Sequence, residues 1–428
     1  MNRLYSILVN FKFRLFFAVF VAIFFIYQGI SIRWIGYESK PVVMIDEFNY
    51  AWTGLSLRST GLPTSWTTYP DLYKNGIIGF NFGTTDGLTM KTQNKIVNVG
   101  DFRKNAKPII AVEEMDIGEG VKQFSFVMPF FDRPPLGGLI YSLGVDKDTQ
   151  SFSDVKAEEF RKVSLILGVI TSILIYFVTV LVSGSPWISV LAVATYNTVP
   201  TFVFASRYAL AENIVAPLVL GQLLLIITMI KKKNCILKKY FLGFFLAGLL
   251  GGLAVITKES SLGFSVGLIS LFLYLKYSSK QIFFFLGGFI IPILNYLIWG
   301  LWIQGNTFIN IFLANISRPF AGSLKFLMTL QSLRFQDFPI DGWWIWSFFS
   351  IFLVCLYHNK KYLLLTIPLI SHLLLVIFLG GANYPWYYLA ITPFLAIFSS
   401  IIIAELFRFP NIQVLLVFFL LAYFEAGL

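Results

Sequence analysis

Five groups of ionisable or aromatic residues stand beside strongly apolar stretches, where charge is costly and tends to serve a function. Asp46-Glu47 follows the first stretch, Asp132-Arg133-Pro134-Pro135 precedes the second, and Arg207 opens a later one with Glu212 about a turn deeper. Lys258-Glu259 closes another, and Asn383-Tyr384-Pro385-Trp386-Tyr387-Tyr388 opens one near the end. Two carboxylates, Asp46 and Glu47, with three cations, Arg133, Arg207 and Lys258, suit displacement of a phosphate leaving group. A carboxylate removes the proton of an attacking hydroxyl, and the cations stabilise charge developing on phosphate. Asp46 is the candidate base. Each group also has a plain structural use. Asp46 can cap a helix, since an Asp before an apolar-periodic run satisfies orphan N–H groups. Arg207 can snorkel, Lys258-Glu259 can form an interfacial ion pair, and Pro134-Pro135 suits a first helical turn. The Tyr387 stretch suits an aromatic belt.

What must position these residues is set by composition. The 428 residues are 57% hydrophobic and 13% charged, against about 25% charged in soluble domains. The class is an all-α polytopic membrane protein. Windows near the ~20 residues a bilayer needs predict about eleven transmembrane helices. They lie near 15–32, 163–182, 187–204, 208–230, 240–256, 260–276, 281–303, 342–357, 362–379, 386–406 and 410–427. The net charge of +11 is no nucleic-acid signature, because Lys and Arg fall largely in the connections, where they set topology. With the N-terminus inside, Lys231-Lys232-Lys233, Lys238-Lys239, Lys276, Lys280, Lys360-Lys361 and Arg408 all fall on the cytoplasmic side. The five chemistry-bearing groups then share the outer face. The expected location is the plasma membrane, multi-pass, with the site outside. Arg3, Lys12 and Arg14 precede the first stretch without a small-residue cleavage site after it, so 1–32 reads as a retained signal-anchor. Cys235 and Cys355, both near the inner face, make no disulfide framework.

Two outer loops are long, 33–160 and 304–341, and they flank helices 2–7 (161–303) and the C-terminal helices (342–428). In the first, Phe48, Ala51, Trp52 and Leu55 recur at helical spacing. They predict a juxtamembrane helix with its apolar face in the headgroup layer and Arg58 reaching phosphates. Short alternating runs between 76 and 126, such as Lys95-Ile96-Val97-Asn98-Val99, predict a small β-rich insertion. The second loop holds an amphipathic piece at 308–316, Arg318, Arg334, Asp341 and the sequon Asn315-Ile316-Ser317. His372 reads as a packed core residue and His358 as solvated, and two histidines do not suggest a zinc site. Neither a glycine-rich phosphate loop nor a GxSxG elbow is present. Inverted pairs of broken helices are also missing, which disfavours a secondary transporter.

The order of motifs resembles the GT-C superfamily of polyprenyl-phosphate-sugar-dependent glycosyltransferases, in the branch of protein O-mannosyltransferases and lipid A aminoarabinose transferases. The resemblance is carried by Asp46-Glu47 with Tyr50, by Asp132-Arg133-Pro134-Pro135-Leu136, by Ser206-Arg207-Tyr208-Ala209-Leu210-Ala211-Glu212 and by Gly252-Leu253-Ala254-Val255-Ile256-Thr257-Lys258. It implies an inverting membrane glycosyltransferase moving a sugar from a polyprenyl phosphate to a hydroxyl of a protein, lipid or glycan acceptor. It implies Asp46 (with Glu47) as the catalytic acidic residues, Arg133, Arg207 and Lys258 at the donor phosphate, and Asp132, Tyr50, Glu212, Glu259 and Tyr387 in support. No cofactor is required by the sequence, no metal ligands are assigned, and a divalent cation is compatible. The first outer loop is longer than the family pattern, no basic residue stands near Tyr387, and no soluble C-terminal domain is expected. Two rivals share some features: a cell-envelope oligosaccharide polymerase or ligase, and a secondary transporter with ionisable groups near the midplane.

Overall fold

The computed structural model of the chain describes residues 11–35, 45–73, 77–80, 89–92, 96–98, 108–116, 121–149, 152–231, 237–317, 342–356, 362–379 and 385–406. Ten of the eleven expected apolar stretches coincide with helices. The eleventh, 410–427, lies outside the described residues, as do Cys235, Arg318, Arg334, Asp341, His358, Lys360-Lys361, Asn383, Tyr384 and Arg408. Thirteen α-helices are described: α1 (Phe11–Trp34), α2 (Ile45–Thr60), α3 (Pro135–Tyr141), α4 (Ala157–Ser183), α5 (Pro186–Thr198), α6 (Pro200–Ala205), α7 (Ala211–Lys231), α8 (Leu237–Val255), α9 (Leu262–Tyr274), α10 (Ser279–Ile316), α11 (Gly342–Leu356), α12 (Leu363–Leu379) and α13 (Thr392–Leu406). Among the described residues, five helical stretches are long and apolar enough to cross a membrane: Leu15–Trp34, Ala157–Ser183, Ala211–Lys231, Ser279–Ile316 and Tyr387–Leu406. Four shorter apolar helices accompany them.

Local chemistry sets the boundaries. Ser185 caps α5, its hydroxyl accepting from the Ile188 N–H, with Pro186 in the first turn. The 187–204 stretch is not one helix. Val199 is extended ahead of Pro200, whose missing N–H and ring break the ladder there. A reciprocal Ser278–Gln281 capping box opens α10. That helix runs well past the expected 303, turning at Gln304, where the backbone is non-helical, so the amphipathic 308–316 piece is its continuation.

Glycines permit the closest helix packing. A Cβ on Gly248 would lie 1.9 Å from the Phe285 carbonyl oxygen, and one on Gly288 2.0 Å from that of Phe245. Gly248 and Gly252 thus form the small-xxx-small stripe on which α8 meets α10. The main core gathers residues of α4, α5, α7, α9, α12 and α13, including Phe264, Phe272, Phe394 and Phe398.

Between α2 and α3 the chain builds a six-stranded sheet in the order β1 (Ser65–Trp66), β6 (Val121–Met128), β5 (Ile109–Asp116), β2 (Ile77–Phe80), β3 (Thr89–Thr92), β4 (Ile96–Asn98). The β2–β5 pair is parallel and the others are antiparallel. The sheet begins before and ends after the 76–126 window. Phe126, Val127 and Met128 at the end of β6 are buried against the helices, and the chain then runs directly into Asp132-Arg133.

Candidate active site

Two glycine-lined helices bring Asp46 and Arg133 together. Pro134, extended, and Pro135 start α3, which leaves Arg133 at its mouth. A Cβ on Gly54 of α2 would lie 1.9 Å from the Gly138 carbonyl oxygen of α3, so the two backbones touch. Gly137 receives the Tyr50 ring, 3.3 Å from where its Cβ would stand. Asp46, the second residue of α2, then accepts a 2.7 Å charge-assisted hydrogen bond from Arg133 Nη2. The guanidinium also lies 4.7 Å above the Tyr50 ring. Burial works against its charge, but Asp46 and Tyr50 more than offset this and hold the proton more tightly than usual. Arg133 Nη1 is buried and makes no hydrogen bond among the described residues.

Lys258 also acts on the Tyr50 hydroxyl. It is the N-cap of a 3-10 turn (Glu259–Ser261) after α8. Its Nζ lies 3.3 Å from Glu212 Oε1 in the first turn of α7 and 4.6 Å above the Tyr387 ring. Burial opposes the ammonium charge, and Glu212, Tyr50 and Tyr387 together outweigh it. Burial raises the Tyr50 phenol, and Lys258 and Arg133 pull it back, so both cations act on one hydroxyl. Asp46, Arg133, Tyr50, Lys258, Glu212 and Tyr387 are therefore one cluster, with two carboxylates against two cations.

The other sequence candidates lie elsewhere. Glu47, adjacent to Asp46, is fully buried and takes 3.0 and 2.5 Å bonds from Arg161 and a 2.7 Å bond from the Ala209 N–H. With its oxygens so engaged it anchors α2 to α4 and to the 206–210 turn. Arg207 donates to the Ile35 carbonyl at 2.8 Å and lies over Phe204 and Tyr208. None of these contacts is with Asp46, Arg133 or Lys258, so the structure does not bring Arg207 into the cluster. Asp132 accepts from the Thr67 hydroxyl and the Thr68 N–H and hydroxyl, bracing the loop before Arg133. Burial raises its carboxyl above the ordinary range, and the Thr68 and Thr67 bonds pull the other way. Glu259 is exposed at the start of its turn and acts electrostatically on Tyr296.

Two further expectations are corrected, and the sequon asparagine is placed. The apolar face of α2 is covered by protein and not by lipid: Ala51, Trp52 and Leu55 are buried in a cluster with Tyr141, Phe152 and Phe160. Arg58 donates to the Ser142 carbonyl at 2.6 Å, which ties α2 to the end of α3. Asn315 of the sequon accepts from Tyr69 Oη and donates to the Asp132 carbonyl, so its amide is spent on holding α10 to the site loop. Arg161 and Arg33 were missed in the sequence. Both are 1% exposed, and their partners lie more than a hundred residues away, in Glu47 for Arg161 and in Asn197 and Ser206 for Arg33. His372 is packed as expected, stacked 4.0 Å from Phe264 and bonded to the Ser260 carbonyl.

Residues 132–299 match the family model described as dolichyl-phosphate-mannose-protein mannosyltransferase. The matched stretch contains Arg133, Arg207, Glu212 and Lys258, and excludes Asp46 and Tyr387. Crystal structures of ArnT from Cupriavidus metallidurans, apo and bound to undecaprenyl phosphate, each align over 89% of this chain at 12% identity with a TM-score of 0.54. The chain has the GT-C fold. The fold expected from the motif order is thereby borne out. The chain spans 58–59% of the length of ArnT. AglB from Archaeoglobus fulgidus, in complex with an inhibitory peptide and a dolichol-phosphate, aligns over 92% of this chain and 50% of its own at 12% identity, TM-score 0.48. No curated protein sequence matches the chain.

Proposed function

We propose that this GT-C chain is an integral membrane glycosyltransferase that moves a sugar from a polyprenyl phosphate to an acceptor hydroxyl, with inversion. The reading is carried by one juxtaposition. Asp46 is held by Arg133, and Arg133 and Lys258 both act on the Tyr50 hydroxyl, so a proton acceptor and two cations share one small region. The Asp46 carboxylate takes the acceptor O–H proton, and the freed oxygen attacks the anomeric carbon from the face opposite the phosphate. The carbon–oxygen bond to phosphate breaks, and its electron pair leaves with the polyprenyl phosphate. Arg133, through its unused Nη1, and Lys258 stabilise that charge. Glu212 keeps Lys258 in place before the donor arrives. Tyr387 supplies the aromatic floor beneath the ammonium.

The fold similarity to ArnT, whose structure binds undecaprenyl phosphate, and the mannosyltransferase match over 132–299 support a lipid-phosphate donor. The acceptor is a protein, lipid or glycan hydroxyl. We place the N-terminus in the cytoplasm and the cluster at the outer face of the plasma membrane, on the distribution of Lys and Arg among the connections. The test is sugar transfer by purified protein in lipid nanodiscs from a panel of polyprenyl-phosphate hexoses and pentoses to a cell-envelope acceptor fraction. Asp46→Asn keeps an oxygen for the Arg133 bond but loses the proton acceptor. It is expected to fold with a lowered melting temperature and to lose at least about 10²-fold in turnover. Near-wild-type turnover in Asp46→Asn would refute the assignment of the base.

A further inference from the structure

The 206–210 turn connects α6 to α7, and hydrogen bonds from four other elements converge on it. The Ala209 N–H bonds Glu47 of α2, the Tyr208 carbonyl accepts from Ser164 of α4, and the Leu210 carbonyl accepts from Tyr141 of α3. The fourth is Arg33, in the last turn of α1, whose Nε donates to Ser206 Oγ at 2.8 Å. Arg33 also donates from Nη1 to Asn197 Oδ1 at 2.7 Å and lies 5.1 Å above the Tyr196 ring. It is 1% exposed and, among the described residues, has no carboxylate partner. Two glycines hollow out its place. A Cβ on Gly29 would stand 2.6 Å from Arg33 Nη1, and one on Gly168 3.2 Å from its Nε.

A buried guanidinium without a counter-ion at the end of a membrane helix is costly, and an apolar residue of similar size is often no less stable. Stability alone does not account for it here, because its partners have other bonds. Asn197 Oδ1 also accepts from Ser172, and Ser206 Oγ also donates to the Val203 carbonyl. Beside the exposed Arg207–Ile35 bond, Arg33 supplies a rigid, buried fork that joins α1 both to the turn at Ser206 and to α5 at Asn197. The turn in turn fixes Glu47, the neighbour of Asp46, and leads directly into Glu212, the partner of Lys258.

We propose that Arg33 is a positioning residue: through the 206–210 turn and Glu47 it sets the placement of α2, and with it Asp46, relative to the cations. The inference rests on the function proposed above. Its test uses the full-length protein with Arg33→Met and Ser206→Ala, and Ser399→Ala as a control that removes the buried Ser399–Ser347 hydrogen bond away from the turn. Two readouts are taken: donor kinetics, and amide hydrogen exchange of segments 45–55 and 205–211.

For Arg33→Met the expected result is a kcat lowered about tenfold with the donor KM within about twofold, since misplacement affects the reacting geometry more than the phosphate contacts. Both segments are expected to exchange faster, with protection elsewhere in the bundle retained. Ser206→Ala should give a smaller change in the same direction, and Ser399→Ala none in either readout. Wild-type exchange in both segments of Arg33→Met overturns the proposal, as does a raised donor KM at unchanged kcat. Should Arg33→Met not be recovered folded, Arg33→Lys keeps the charge without the fork and is expected to loosen the same two segments. Unchanged exchange there refutes it equally. A wild-type protein inactive with every donor removes the glycosyltransferase reading, while the exchange result still decides the role of Arg33.

Discussion

The contact between Gly54 and Gly138 offers a graded test of how the fold sets the chemistry. A Cβ at Gly54 would stand 1.9 Å from the Gly138 carbonyl oxygen, about 1.5 Å short of ordinary contact, and backbone atoms cannot swing aside. In Gly54→Ala, α2 and α3 must separate by roughly that amount. Passed on in full, this lengthens the 2.7 Å Asp46–Arg133 bond to about 4.2 Å. With an effective dielectric of about 20, the pair weakens from about 6 to about 4 kcal/mol. Overpacking costs about 1–3 kcal/mol and the helix propensity of Ala returns about 1, so the protein should fold with reduced stability. Turnover should fall by about 10²-fold, the scale expected for an ångström of misplacement at a reacting centre. A Cβ at Gly138 meets its nearest atoms at 3.0 Å, so Gly138→Ala needs a shift of only a few tenths of an ångström and should lose less than about tenfold. Gly287, with nothing within 4 Å of its would-be Cβ, is the control, and Gly287→Ala should be active and as stable or more so. The assay pairs donor-dependent transfer with thermal unfolding of each purified variant. If Gly138→Ala is worse than Gly54→Ala, or both behave like Gly287→Ala, the geometric reasoning is wrong.

Other outcomes separate roles within the cluster. Lys258→Ala should raise the donor KM and lower kcat together, because it removes a phosphate partner from both the bound state and the transition state. Arg207→Ala should leave donor KM within about twofold, since the guanidinium is bonded to the end of α1. For the buried Arg161–Glu47 pair, Arg161→Met alone should cost about 3–5 kcal/mol, measured by unfolding, by stranding the Glu47 charge. The double variant with Glu47→Leu should recover much of that loss in stability without recovering transfer. A reporter fused after Lys233 should be cytoplasmic and one inserted near Asn98 external; an external signal at Lys233 would reverse the orientation proposed above.

Hydropathy and motif order made the helical class and the GT-C fold legible, because apolar windows of bilayer length need little context. They also pointed to Asp46, Arg133 and Lys258, since a charge beside an apolar stretch stands out against its neighbours. What they could not convey is which apolar surface meets lipid and which meets protein. Trp52 and Leu55 of α2 have the spacing of a surface-lying helix, yet they pack under Phe152 and Phe160, because a protein core is as apolar as a lipid tail. Long-range pairing was equally hidden. Glu47 and Arg161 lie 114 residues apart, and nothing near either residue marks the other as its partner. Arg207 carried as strong a motif signal as Arg133, and only the direction of its side chain, toward Ile35, separates the two.

The strand β6 has a mechanical consequence. It is eight residues long, roughly 26 Å of extended chain. Its far end pairs with β5 in the sheet, and its near end leads within five residues to Arg133. An extended strand paired along its length hardly stretches, so it behaves as a tie-rod. The Thr67 and Thr68 bonds to the Asp132 carboxylate, with Asn315 on the Asp132 carbonyl, are the bearing that keeps this rod from moving the guanidinium at rest. A load applied at the far edge of the sheet, such as a macromolecule gripping it, therefore reaches first the joint at Asp132 and then the cation beside the candidate base.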